Sequence, residues 1–184
     1  IPDQFIIKHT CKFAIKKNYD IEVIMFLGNK NEEKYYNDIF LRNNFYNYKL
    51  IISKRNSDFL SSYKLISDNS IIVGSDSQLI FELFGLGYRT AIFTLRSFYM
   101  KDDSRKFNWP MNDKMLNTGS FWTNIPDENS LSNILNFLSN ITNHAWETER
   151  KKYIEGEPIK VSFANGPQNP KDWVGLYGVE MIPE

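Results

Sequence analysis

Short apolar runs alternating with amphipathic helical stretches are the feature that most limits how this chain can fold. Residues 21–27 (IEVIMFL), 48–53 (YKLIIS), 70–74 (SIIVG) and 90–95 (TAIFTL) have strand character and end at turn-forming or polar residues. Between them, residues 31–42 carry Tyr35, Tyr36, Ile39 and Phe40 at helical spacing, with Asn31 as a candidate cap and Glu32 and Glu33 suited to a positive first turn. Residues 57–66 bear Phe59, Leu60, Tyr63 and Ile66 behind Ser57 or Asp58, and residues 77–84 read as a helix stopping at Gly85 and Gly87. Strands this short, separated by helices, call for right-handed crossovers and parallel pairing. The expected class is therefore α/β, a Rossmann-like parallel sheet flanked by helices. Two further helices complete it. One, over 5–17, is amphipathic with a lysine face; the other, over 127–141, has Asp127 as cap and Leu131, Ile134, Leu135 and Leu138 on one side. A last turn or two reaches about residue 152.

A chain of 184 residues has room for one substantial core. Lys plus Arg and Asp plus Glu both number 22, so no broad field exists to attract nucleic acid, and any anion site must be local. One cysteine, Cys11, allows no internal disulfide, and with two histidines it offers no zinc set. No apolar run is long enough for a membrane-spanning helix, and the start lacks a signal-peptide pattern, so the expected location is cytoplasmic. The sequence opens at Ile1, which suggests processing or a piece of a longer protein.

In a parallel α/β sheet, ligands bind beyond the carboxyl ends of strands, where helix N-termini present N–H groups to phosphate oxygens. Gly74-Ser75-Asp76-Ser77-Gln78 is the stronger such turn: glycine permits a sharp exit, the serines add hydroxyls, and Glu82 follows more than one helical turn later. A carboxylate at that offset can accept both hydroxyls of a ribose while the serines hold a diphosphate. The same spacing is also met if Ser75 or Asp76 merely caps the helix and Glu82 is solvated. A second turn, Gly28-Asn29-Lys30-Asn31, places Lys30 at a strand exit, as a phosphate partner or as a solvent-facing lysine. His9 and His144 lie far apart with no nucleophile motif near either, which favours structural or solvent roles.

The run IIVGSDSQLIFELFGLGYRTAIF resembles the nucleotide-sugar-binding, C-terminal half of GT-B glycosyltransferases and their relatives. Those relatives include the teichoic acid glycerophosphotransferases, the bacterial polysialyltransferases and the UDP-N-acetylglucosamine 2-epimerases. Trp109-Pro110 and the later Gly-Ser-Phe-Trp-Thr-Asn at 119–124 look most like bacterial surface carbohydrate biosynthesis proteins; the resemblance spans about residues 5–142. It implies that Ser77 contacts the donor diphosphate, with Ser75 and Gln78 in the same turn, Glu82 on the ribose and Arg96, closing the fourth strand, near the phosphates. The epimerases carry Gly-Gly where Gln78 and Leu79 stand, and paired glutamates where Glu82 stands alone, so a transferase is favoured over an epimerase. The implied function is donor binding in surface polysaccharide synthesis, with a nucleotide sugar as substrate and no separate cofactor or metal. The acceptor would be a glycan or lipid-linked molecule. An N-terminal lobe, missing from this chain, would supply the catalytic base, so no catalytic residue is assigned, and attachment at the inner face of the membrane is compatible with this. The alternatives are a noncatalytic α/β interaction module and a UDP-sugar epimerase-like enzyme.

Residues 96–126, rich in charge and aromatics, break the alternation and read as a lid or a surface meander. A boundary is expected near Tyr153, dividing an α/β domain over 1–153 from a tail over 154–184. That tail concentrates glycine and proline and reads as a β-hairpin or as the opening of a truncated β-sandwich module.

Overall fold

A computed structural model describes residues 2–25, 28–52, 61–75, 77–99 and 117–154. The elements run α1 (Pro2–Lys17), β1 (Ile21–Met25), α2 (Lys30–Arg42), β2 (Tyr48–Ile52), a single 3-10 turn (Tyr63–Leu65), β3 (Ile71–Gly74), α3 (Gln78–Gly85), β4 (Arg89–Phe93), α4 (Arg96–Tyr99), β5 (Trp122–Thr123), α5 (Glu128–Asn140) and α6 (Asn143–Ile154). The α/β class and the parallel pairing expected from sequence are both present. β1 pairs β2, β3 pairs β4 and β4 pairs β5, all in parallel. The C-terminal hairpin, the 57–60 half of the expected second crossover helix and most of the 96–126 segment lie outside the described residues.

The described strands form two sheets: one pairs β1 with β2, and the other has the order β3-β4-β5. In the three-stranded sheet, β4 is central, and Thr90, Ala91, Ile92 and Phe93 are all fully buried. Successive residues of a strand point to opposite faces, so burial of all four means that both faces are covered. Its core joins Ile80 and Phe84 of α3, the leucines and isoleucine of α5, Phe121, Trp122 and Trp146. The two-stranded sheet is only half-buried, and Glu22 and Lys49, opposite each other in register, are exposed with nitrogen and oxygen 3.7 Å apart.

α1 serves both halves. Ile6 and Phe13 enter the larger core, while Cys11 and Ala14 join Phe40 and Phe45 in the smaller one. Lys8, Lys12 and Lys16, one helical turn apart, remain exposed as the expected lysine face. A helix buried along two stripes cannot be strongly amphipathic, and this one departs from the single apolar stripe in that way.

Helix ends follow local chemistry closely. Asp127 caps α5 by accepting the Ser130 N–H at 2.7 Å. α3 ends in a Schellman arrangement: the Gly87 N–H donates to Phe84 O and the Tyr88 N–H to Leu83 O, with Gly87 at φ +95°. Several boundaries differ from expectation: α1 begins at Pro2, and Ser77, in place of Ser75 or Asp76, is the N-cap of α3. The α2 cap is Asn29, not Asn31, because Asn29 Oδ1 accepts the N–H groups of Asn31 and Glu32 at 3.1 and 3.0 Å. Residues 61–66 hold a 3-10 turn in place of an α-helix end. Arg96 does not close the fourth strand: the chain turns at Thr94 and Leu95, where Leu95 N donates to Phe93 O, and Arg96 opens α4.

His9 is buried at the α1–α5 junction, with its ring centroid 4.4 Å from that of Phe5 and Nδ1 3.4 Å from Glu128 Oε1. Burial holds its pKa below 6.5; the Glu128 carboxylate opposes this, and Lys12 and Lys8 reinforce it. A histidine with a depressed folded pKa contributes stability that is complete above 6.5 and declines as pH falls below it, because the unfolded chain then binds the proton more readily. Unfolding free energy measured by urea titration should therefore fall between neutral pH and pH ~5.5, and that component should vanish in His9→Gln. A slope unchanged by the substitution would contradict this.

Candidate functional site

Two strand-turn-helix units present helix N-termini at the carboxyl ends of parallel strands, and they differ in how those N-termini are used. At β1–α2 the turn is closed upon itself. Gly28, at φ +60°, donates its N–H to Glu32 Oε2 at 2.7 Å, and Asn29 Oδ1 accepts the N–H groups of Asn31 and Glu32. The helix's own carboxylate and amide thus occupy the donors that a phosphate would need. Lys30, exposed as the first residue of α2, stands over this capped turn.

At β3–α3 the chain leaves Gly74 and enters α3 through Ser75 and Ser77. A Cβ at Gly74 would press on the Ile80 side chain at 3.2 Å, so glycine allows the helix to lie close against the strand exit. Ser77 is the N-cap residue, is exposed, and makes no side-chain capping bond. No carboxylate among the described residues closes this N-terminus as Glu32 closes α2. The helix dipole and the first-turn amides favour an anion here.

Glu82 lies one turn further along α3 and is half-buried. Its Oε1 accepts from Gln78 Nε2 at 2.7 Å, and its Oε2 accepts from the Tyr63 hydroxyl. The carboxylate therefore leans back along the helix toward the residue that follows Ser77, instead of entering the apolar core. Tyr63 belongs to the 3-10 turn before β3, and sequence reasoning placed it only among helix apolars. Nineteen residues separate it from Glu82, and no local pattern links the two.

Arg96 follows β4, the hydrogen-bonded neighbour of β3, with Gly74 in register with Ile92. Ser75, Ser77 and Arg96 consequently share one end of the same sheet. Arg96 is half-exposed, with Nη2 3.8 Å from Asp3 Oδ1. Lys30 belongs to the other sheet. Of the six sequence-derived candidates, the structure groups Ser75, Ser77, Gln78 and Glu82 on one turn and helix, places Arg96 at the same sheet end, and leaves Lys30 on a separate unit.

A shallow cleft of about 280 Å³ lies elsewhere, between residues 118–120 and α5, and is lined in part by Thr118, Ser120, Asn133 and Phe137. Ser120 Oγ donates to Glu149 Oε1 at 2.6 Å, and Ser130 Oγ to Asp127 Oδ2 at 2.7 Å. Burial would raise the pKa of Glu149, but hydrogen bonds from Lys152 and Ser120 outweigh it and pull the value down. Among the described residues, no group of three or more His, Cys, Asp or Glu is placed to hold a metal, and no helix is long and apolar enough to cross a membrane.

A family model described as "putative O-antigen biosynthesis protein" matches residues 2–165. No curated protein and no solved structure matches the chain.

Proposed function

This chain belongs to that O-antigen biosynthesis family, and from that membership we propose that it binds a nucleotide sugar at the 74–82 turn, as the donor side of a glycosyltransferase building surface polysaccharide. The observation that carries the reading is the contrast between the two turns. The α2 N-terminus is closed by the Asn29 cap and by Glu32, whereas α3 opens on a serine whose hydroxyl makes no cap bond, with its carboxylate held one turn away at Glu82.

In this reading the α3 N-terminus, with Ser75 and Ser77, receives the diphosphate, and Glu82 accepts ribose hydroxyls at the other end of the same ligand. As the bond to the sugar breaks, negative charge grows on the departing phosphate. First-turn amides already aimed at that position stabilise it without having to reorganise, and Arg96 at the neighbouring strand end adds a full positive charge. Gln78 orients Glu82. Lys30 is the member this geometry supports least, because its own turn is internally satisfied. The sugar acceptor is a glycan or lipid-linked molecule, and a second lobe supplies the base that activates it. A nucleotide sugar as donor places this step in the cytoplasm or at the inner face of the membrane.

The test is calorimetric titration of the full chain with UDP, CMP and GDP. Saturable binding of one of them is expected, weakened about tenfold or more in Glu82→Gln and in Ser77→Ala, the scale of a hydrogen bond to a charged group. Indifference of the wild type to all three would favour an interaction module and overturn the reading.

A further inference from the structure

We propose that Tyr63, with Gln78, is the positioning residue that makes this site prefer ribonucleotides to deoxyribonucleotides. The inference rests on the donor-nucleotide reading and adds to it the source of sugar selectivity.

An ionised carboxylate has two oxygens and about four lone-pair sites, and it only accepts hydrogen bonds. At Glu82 each oxygen takes one donor: Oε1 from the Gln78 amide at 2.7 Å, and Oε2 from the Tyr63 hydroxyl. Those two donors come from different elements, Gln78 from the first turn of α3 and Tyr63 from the 3-10 turn before β3. One donor alone would leave the carboxylate free to rotate about its bond to the side chain. Two donors on opposite oxygens fix both its plane and its direction.

Each oxygen keeps acceptor capacity after these bonds are made. Two parallel acceptors in a fixed plane match the two adjacent hydroxyls of a ribose, both of which donate. A 2′-deoxyribose offers only one of them, so one oriented lone pair would be desolvated without a donor. A site built to hydrogen-bond a hydroxyl rejects the analogue that lacks it for this reason. The selectivity depends on orientation, and a glutamate that could swing would recover a single good bond to the remaining hydroxyl. Holding Glu82 from both sides removes that escape.

The experiment takes whichever of UDP, GDP and CMP binds the full chain most tightly and compares it with its 2′-deoxy counterpart. It uses wild type, Tyr63→Phe, Gln78→Ala and Glu82→Gln. Tyr63→Phe keeps the ring and removes only the hydroxyl. Gln78 is exposed, so its truncation leaves the fold intact. Thermal melts of all four proteins check that they are equally folded.

The wild type is expected to favour the ribonucleotide by about tenfold or more. Tyr63→Phe and Gln78→Ala should each cut that preference by about threefold or more, by strengthening the deoxynucleotide as the freed carboxylate swings to its one hydroxyl while the ribonucleotide holds or weakens. A merely structural tyrosine would weaken both ligands equally or neither. Wild-type preference retained in Tyr63→Phe and Gln78→Ala but lost in Glu82→Gln sinks this inference and leaves the nucleotide reading standing. Equal affinity of the wild type for ribo and deoxy forms sinks it together with the ribose role of Glu82. Absence of binding by all three ribonucleotides overturns both the inference and the reading beneath it.

Discussion

Gly119→Ala is expected to destabilise the protein by about 3 kcal/mol, at the upper end of what overpacking a core costs. A Cβ on Gly119 would fall inside the van der Waals surface of the Trp122 indole, onto Cη2, Cζ3 and Cζ2. Relief by movement of that ring is obstructed. Trp122 is 4% exposed, lies in β5, and meets Phe121 edge-on with ring centroids 4.9 Å apart. The backbone at Gly119 is also fixed, because its N–H donates to Trp122 O at 2.9 Å and the next pair outward, Thr118 and Thr123, bridges through backbone and hydroxyls. The added methyl must therefore displace either the 118–123 turn or the edge of the three-stranded sheet. Urea unfolding measures the loss, and Ser120→Ala, which removes one hydroxyl bond to Glu149, is the comparison, at about 1 kcal/mol. A Gly119→Ala protein as stable as wild type would show that the glycine is not held against the indole.

Trp146→Ala should cost about 3–5 kcal/mol, the range for truncating a buried aromatic. Trp146 is 2% exposed and stands edge-on to Phe84 and Phe121, whose own rings stack at 4.8 Å. Its indole N–H donates to Gly87 O at 2.8 Å, just past the end of α3. Arg150, one turn on, donates to Gly85 O at 2.9 Å and to Glu147 Oε2 at 2.6 Å. α6 thus holds the C-terminus of α3 through one aromatic and one guanidinium. Trp146→Phe fills most of the volume and leaves Gly87 O without its donor, so about 1–2 kcal/mol is expected there. Similar losses for the two substitutions would show that the hydrogen bond, not the ring volume, carries the contact.

How far the sequence could be read depended on how local each cause was. Asp127 and the Leu131, Ile134, Leu135 and Leu138 stripe announced α5 because a cap and a 3.6-residue period are written within a single segment. The same holds for the Gly87 ending of α3 and the four apolar strands. β5 was invisible within an aromatic-rich segment, because two residues have no measurable period and pair only where Ile92 and Phe93 are waiting. Asn31 and Asn29 are both good capping residues, and only the turn at Gly28 decides that Asn29 caps α2.

The candidate site divides along the same line. Ser75, Ser77, Gln78 and Glu82 are close in sequence, so one turn and one helix suffice to bring them together. The tyrosine that grips Glu82 comes from another element, and no spacing rule could have found it. The separation of Lys30 from the others follows from the strands dividing into two sheets.

By itself the sequence determined the order and type of most elements, the Asp127 cap and the parallel α/β class, because propensity, periodicity and capping act over a few residues. The tertiary structure alone decided which strands became neighbours, that α1 would bury two faces, and which side chain would hold the Glu82 carboxylate. Those outcomes depend on contacts between segments distant along the chain, where burial and hydrogen-bond geometry are settled jointly and no single segment encodes the result.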